Sequence, residues 1–143
     1  MNAYISSMTP LQIIQKLNQA KTDKAKAKII KIAWQSDCED FFVGVELSFN
    51  LSVNFGLKSA PEIQDVDDGS PGSLSFKEFY QLAVQLSQSQ LNPDQITESV
   101  TDAAMRANVT EWNEWYRRIL LKTLPKYLPM NIIKDTLVEL TKQ

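Results

Sequence analysis

The stretch "SFKEFYQLAVQL" (75–86) decides the fold. Ser75 followed three residues later by Glu78 has the form of a capping box, in which two side chains satisfy each other's backbone donors at a helix start. Behind that start, Phe76, Phe79, Ala83 and Leu86 recur at spacings of three and four, the period of one buried helical face. A half-buried strand would alternate apolar and polar side chains instead.

Outward from this helix the same punctuation recurs on both sides. Asn92-Pro93 opens another helix, with a capping side chain and a proline at the first position, where its missing N–H costs nothing. Ile96, Val100, Ala103 and Ala107 form its stripe. Thr110 is placed to cap the helix of "EWNEWYRRILLK" (111–122). Pro125 and Pro129 then interrupt the chain, and Asn131 is placed to cap a last helix carrying Ile133, Leu137 and Leu140.

On the other side, Thr9-Pro10 opens a helix with Leu11, Ile14 and Leu17 inward. Asp23 is placed to cap one with Ala27, Ile30 and Trp34 on one side and Lys24, Lys28 and Lys31 on another. Phe41, Phe42, Val45 and Phe49 mark a third, which Gly44 weakens. Between the halves lies "GLKSAPEIQDVDDGSPGSLS" (56–75), a length of irregular chain that is uncommon in compact domains and often functional. Its Asp65, Asp67 and Asp68 do not follow the alternate spacing of a calcium loop, and Phe76 stands where the closing glutamate belongs. The expectation is an all-α, irregular bundle of about six or seven short helices, with one long loop near residues 56–74. Residues 1–8 read as a tail and 9–143 as the domain.

Composition limits the chemistry. The 143 residues include one cysteine and no histidine. Cys38 cannot form an internal disulfide and reads as a small core residue of an intracellular protein. Without histidine the usual Ser-His-Asp and Cys-His arrangements are excluded, and no metal site is expected. No apolar run reaches the roughly 18 residues that a membrane span needs, and the first residues do not form a signal peptide.

The formal charge of -2 conceals a segregation. Six lysines face one acid between Lys16 and Lys31, thirteen acids face three bases from Asp37 to Glu111, and six bases face three acids from Trp112 onward. A local basic face, rather than the total, governs binding to a polyanion.

In the 111–122 segment Trp112, Tyr116 and Ile119 share a face, widened by Trp115 and Leu120, and read as core. Arg117, Arg118 and Lys122 stand apart from it. Arg118 and Lys122, four apart, repel unless something negative lies between them, and either Glu114 or a phosphate would serve. Lys126 and the start of the last helix follow directly, and a helix N-terminus with its unpaired N–H groups suits phosphate. The lysines from Lys16 to Lys31 read first as a solvated helix face, with a second phosphate contact as the alternative.

"EWNEWYRRILLK" closely resembles a segment of the N-terminal, all-helical DNA-binding domain of phage-type ATP-dependent DNA ligases. "DDGSPGSLSFKEFYQLAVQL" (67–86) is similar to the loop and following helix of that domain, and "FFVGVELSFNLSVNFGLK" (41–58) also matches the pattern. The resemblance runs from about Thr9 to Leu140. It departs from the family at Asn92-Pro93, which replaces a glycine-containing helix opening, and at 123–129, where the family has Asp-Leu-x-Cys-Gly.

The resemblance implies a monomeric module that grips double-stranded or nicked DNA through backbone and minor groove, in replication and repair. The DNA contacts implied are Asn92, Arg117, Arg118, Lys122, Lys126, Asn131 and Lys134. A catalytic ligase domain would act with it, in the cytoplasm of a prokaryotic or phage-infected cell. ATP and magnesium would serve the nucleotidyltransferase and OB domains, which this chain lacks. Such ligases carry AMP on the lysine of a Lys-x-Asp-Gly motif. Asp68-Gly69 is the only Asp-Gly here and Val66 holds the lysine position, so no catalytic residue and no cofactor are expected in this chain. The alternative is a protein-interaction module of the same fold that has lost DNA binding.

Overall fold

The computed structural model describes residues 9–124 and 128–141; the expected tail at 1–8 and Lys126 lie outside them. Among the described residues there are seven helical segments and no strand. They are α1 (Pro10–Gln19), α2 (Asp23–Gln35), α3 (Glu39–Phe49), α4 (Phe76–Ser87), α5 (Pro93–Arg106), α6 and α7 (Met130–Thr141). α6 runs through three contiguous stretches, Val109–Glu111, a π-helical Trp112–Tyr116, and Arg117–Leu121. Gly72 and Ala107 form an isolated antiparallel bridge. No described helix is long and apolar enough to cross a membrane.

Local chemistry explains the starts. Thr9, Ser75 and Asn92 each close a full capping box, with Gln12, Glu78 and Gln95 as the returning side chains. Three expected caps shift. Thr22, not Asp23, accepts the Ala25 N–H, which leaves Asp23 in the first turn beside the positive end of the helix dipole. Asn108, not Thr110, caps α6 by accepting the Glu111 N–H. α7 starts at Met130, with Pro129 supplying the first carbonyl to Ile133 N–H, so Asn131 lies inside its first turn rather than capping it.

The described residues form two compact units, one from those up to Val43 and from Leu128 onward, the other from Gly44–Leu124. In the first, α2 packs on α1 and on α7. Ile13, Ile14, Leu17, Ile30, Ala33, Phe41, Leu128 and Ile133 are buried there. Leu11 is only partly covered, and Ile13 takes its inward place. Trp34, expected inward, remains 40% exposed and meets Phe42 edge-on at 5.5 Å between ring centres.

In the second unit α4 packs on α5, and the aromatic face of α6 supplies much of the core. Trp112, Trp115, Tyr116, Ile119 and Leu120 are all buried, as their spacing predicts. The π turn adds a residue to the helical repeat and so widens the arc that faces inward. Tyr116 stacks obliquely on Phe79 at 4.6 Å and lies 6.4 Å from Phe76. Gly44 is required by this packing: a Cβ there would stand 2.4 Å from Trp115 Cζ2 and 2.9 Å from Ile119 Cδ1.

Candidate nucleic-acid interface

The polar edge of α6 holds the long loop. Trp112 Nε1–H donates to Pro61 O at 2.6 Å. Asn113 pairs with Ile63 as one strand residue pairs with another: its Oδ1 accepts the Ile63 N–H and its Nδ2 donates to Ile63 O, both at 2.9 Å. At the start of the helix, Asn108 Nδ2 donates to Asp67 Oδ1 at 3.1 Å and to Ser70 O at 2.6 Å, while the Thr110 hydroxyl donates to Asp67 Oδ2. These bonds replace the backbone partners that irregular chain otherwise lacks.

The hydrogen bonds to Asp67, first from Thr110 and then from Gly69 N–H, hold its carboxyl below the usual range. Glu111 shifts the other way, raised mainly by burial and then by the charge of Asp67. The far end of the loop is fixed against the end of α5. Gly72, at φ +74°, lies so close that a Cβ would stand 2.4 Å from Asn108 N, and Ser73 N–H donates to Arg106 O at 2.7 Å. Arg106 also bonds Ser73 and pairs with Glu78 at 2.6 Å, which draws the Glu78 carboxyl downward in pKa.

The basic residues of α6 share in this work. Arg117 Nε–H donates to Ala60 O at 3.0 Å, and its Nη groups make no hydrogen bond among the described residues. Arg118 lies 3.3 Å from Glu114 Oε2, an ion pair whose geometry falls short of a hydrogen bond, and its Nη1 donates to Thr123 O at 3.3 Å. Lys122 ends the helix at φ +58° in the left-handed region, and its ammonium donates to both Asn50 O and Val53 O in the turn after α3. Glu114 is thus the negative group beside Arg118, and Lys122 is directed to carbonyls.

Asn92 is exposed, but its side-chain oxygen is occupied by Gln95 N–H, and Asp94 in the first turn already opposes the helix dipole. Asn131 and Lys134 are exposed on α7. Arg117, Arg118 and Lys122 fall together on one helix with Asn92 elsewhere in the same unit, whereas Asn131 and Lys134 belong to the other unit. Described bases and acids number six and eleven in Gly44–Leu124, but seven and six in the other unit.

The residues that clamp the loop, Asn108, Thr110 and Asn113 with Asp67, carry no signature of a known motif. Their one trace in the sequence is a series of small polar residues at the start of an aromatic helix, facing a loop rich in potential partners.

Two solved chains named Pmar-Lig_PreS3 and Pmar-Lig_Pre match this one, each with a TM-score of 0.81, 27% identity and 95% of this chain covered. The chain spans 31% of the length of those structures. No protein-family model and no curated protein matches it. The fold is therefore similar to a segment of ligase-related chains.

Proposed function

We propose that this chain is a duplex-DNA-binding module of a DNA ligase, gripping the backbone beside a nick so that a catalytic domain can join the strands. One observation carries the reading: nearly the whole chain takes the fold of a segment within the Pmar-Lig chains, at 27% identity. The resemblance of 67–86 and 111–122 to the ligase DNA-binding domain, made on sequence, points the same way.

The mechanism is electrostatic and sequence-tolerant. Lysine and arginine replace the counterions of phosphate groups, and the released ions drive association. Polar contacts at helix starts fix register without reading bases. Lys134 and Asn131 on α7, Lys126 before it, the side-chain Nδ2 of Asn92 at the start of α5 and the outer nitrogens of Arg117 act directly on phosphate. Arg118 and Lys122 act mainly by fixing the C-terminal end of α6 and the turn after α3. The module works as a monomer and raises the local concentration of duplex at a catalytic domain tethered to it. ATP and magnesium chemistry belongs to that domain, because this chain has no Lys-x-Asp-Gly sequence to receive AMP.

A second reading, a protein-interaction module that no longer binds DNA, is favoured by the excess of acids in Gly44–Leu124. Filter binding with two duplexes of unrelated sequence, across a salt series, separates the readings. Equal affinities that fall steeply with salt are expected of the DNA module. Absent binding would favour the second reading instead, and binding indifferent to salt would overturn the electrostatic mechanism.

A further inference from the structure

α2 places Lys24, Lys28 and Lys31 at i, i+4 and i+7, one stripe along the helix, turned away from the buried Ile30 and Ala33. The exposed Gln35 continues it one turn further. Successive lysines advance by about 6 and then about 4.5 Å along the axis. Like charges at this spacing destabilise a helix unless an opposite charge relieves them. Lys31 has such a partner, Glu139 of α7, at 3.6 Å. Lys24 and Lys28 are exposed and form no ion pair among the described residues.

Three of the six basic groups of the other unit are committed, while Arg117, Lys58 and Lys77 form no ion pair among the described residues. Arg106 pairs with Glu78 and Asp102, Arg118 with Glu114, and Lys122 donates to two carbonyls. α2 thus carries two unpaired positive charges in one stripe, Lys24 and Lys28, whereas α6 carries one, Arg117.

We propose that the Lys24–Lys28–Lys31 stripe of α2 is a phosphate-binding surface that takes the backbone of duplex DNA. This rests on the DNA-binding reading above and moves the main electrostatic footprint away from α6. The partner follows from charge complementarity. A straight row of like charges, each a compact donor on a flexible stem, suits a regular linear polyanion. Gln35 adds a neutral donor in line, and the Lys31–Glu139 pair joins the stripe to α7, which carries Lys134.

The test is the salt dependence of duplex binding by three forms of the whole chain. These are the unaltered chain, Lys24→Gln/Lys28→Gln, and Lys58→Gln/Lys77→Gln, which removes equal charge from exposed positions of the other unit. Lys31 is kept so that its pair with Glu139 survives, and circular dichroism verifies that all three forms are equally helical. The slope of log K against log salt should shrink by roughly two in Lys24→Gln/Lys28→Gln, about 0.9 for each phosphate no longer neutralised. It should hold steady in the control.

Equal slopes in all three forms, with the unaltered chain still binding, would overturn this inference alone and leave the stripe to another partner such as an acidic protein segment. Equal losses in both variants would also overturn it, as an effect of net charge. Failure of the unaltered chain to bind at low salt would remove the proposed function and the stripe together.

Discussion

Replacing Gly44 by alanine tests the packing of the aromatic helix. The new methyl would stand 2.4 Å from Cζ2 and 2.5 Å from Cη2 of Trp115, and 2.9 Å from Ile119 Cδ1. Carbon atoms in contact are normally about 3.5–4.0 Å apart, so the neighbours must give by roughly 1 Å. Trp115 is 1% exposed and Ile119 wholly buried, and the indole is a rigid plane set in the π turn of α6. Overpacking of this kind costs about 1–3 kcal/mol. The upper part of that range applies, since two enclosed side chains obstruct the same methyl. Alanine regains about 0.8–1.0 kcal/mol of helix propensity over glycine.

The net expectation is a loss of about 1–2 kcal/mol. Urea unfolding followed by far-ultraviolet dichroism and tryptophan fluorescence measures it. The double variant Gly44→Ala/Trp115→Phe should lose less than the sum of the single changes, because the smaller ring removes the closer of the two obstructions. An unchanged or increased stability of Gly44→Ala would refute the close packing of α3 against Trp115.

Other consequences follow from single contacts. Lys122→Ala should lose about 2–3 kcal/mol in the same unfolding assay, from charged hydrogen bonds to the turn after α3; Lys122→Gly should lose less, because φ +58° suits glycine. Asp67, whose folded pKa is lowered, contributes its stabilisation fully above the ordinary aspartate range and loses it as pH falls through the lowered value. Proteolysis of the loop 56–74 should therefore accelerate on acidification in the unaltered chain, and Asp67→Asn should flatten that dependence. Cys38 is buried, and burial together with Asp37 and Asp40 pushes its thiol pKa up, so it should react slowly with a disulfide reagent at neutral pH until urea exposes it.

Helix starts were legible because their chemistry is local. Ser75 and Glu78, Thr9 with Pro10, and Asn92 with Pro93 need only three or four neighbouring residues to act, and each start lies where its signal falls. The caps that moved, from Asp23 to Thr22 and from Thr110 to Asn108, involve nearby residues of similar capping ability. Burial of Trp112, Trp115 and Tyr116 followed from spacing, but the π turn that accommodates all three did not, since it depends on what each ring meets.

The roles of the α6 bases were hidden for a related reason. Glu114 beside Arg118 is an i, i+4 pair that spacing identifies, and it forms. The carbonyl partners of Lys122 lie 72 and 69 residues away, and that of Arg117 57 away, so no local pattern could distinguish them from phosphate. The long loop likewise carries the turn residues of an irregular segment, while the side chains that hold it come from a helix beginning some forty residues later, Thr110 lying 43 residues from Asp67.

Duplex binding is tested most directly by fluorescence anisotropy of labelled nicked duplex, intact duplex and single strand, each titrated with the whole chain at two salt concentrations. The expected result is binding to both duplexes in preference to the single strand, weakened strongly at the higher salt; no binding to either duplex at the lower salt would contradict the account.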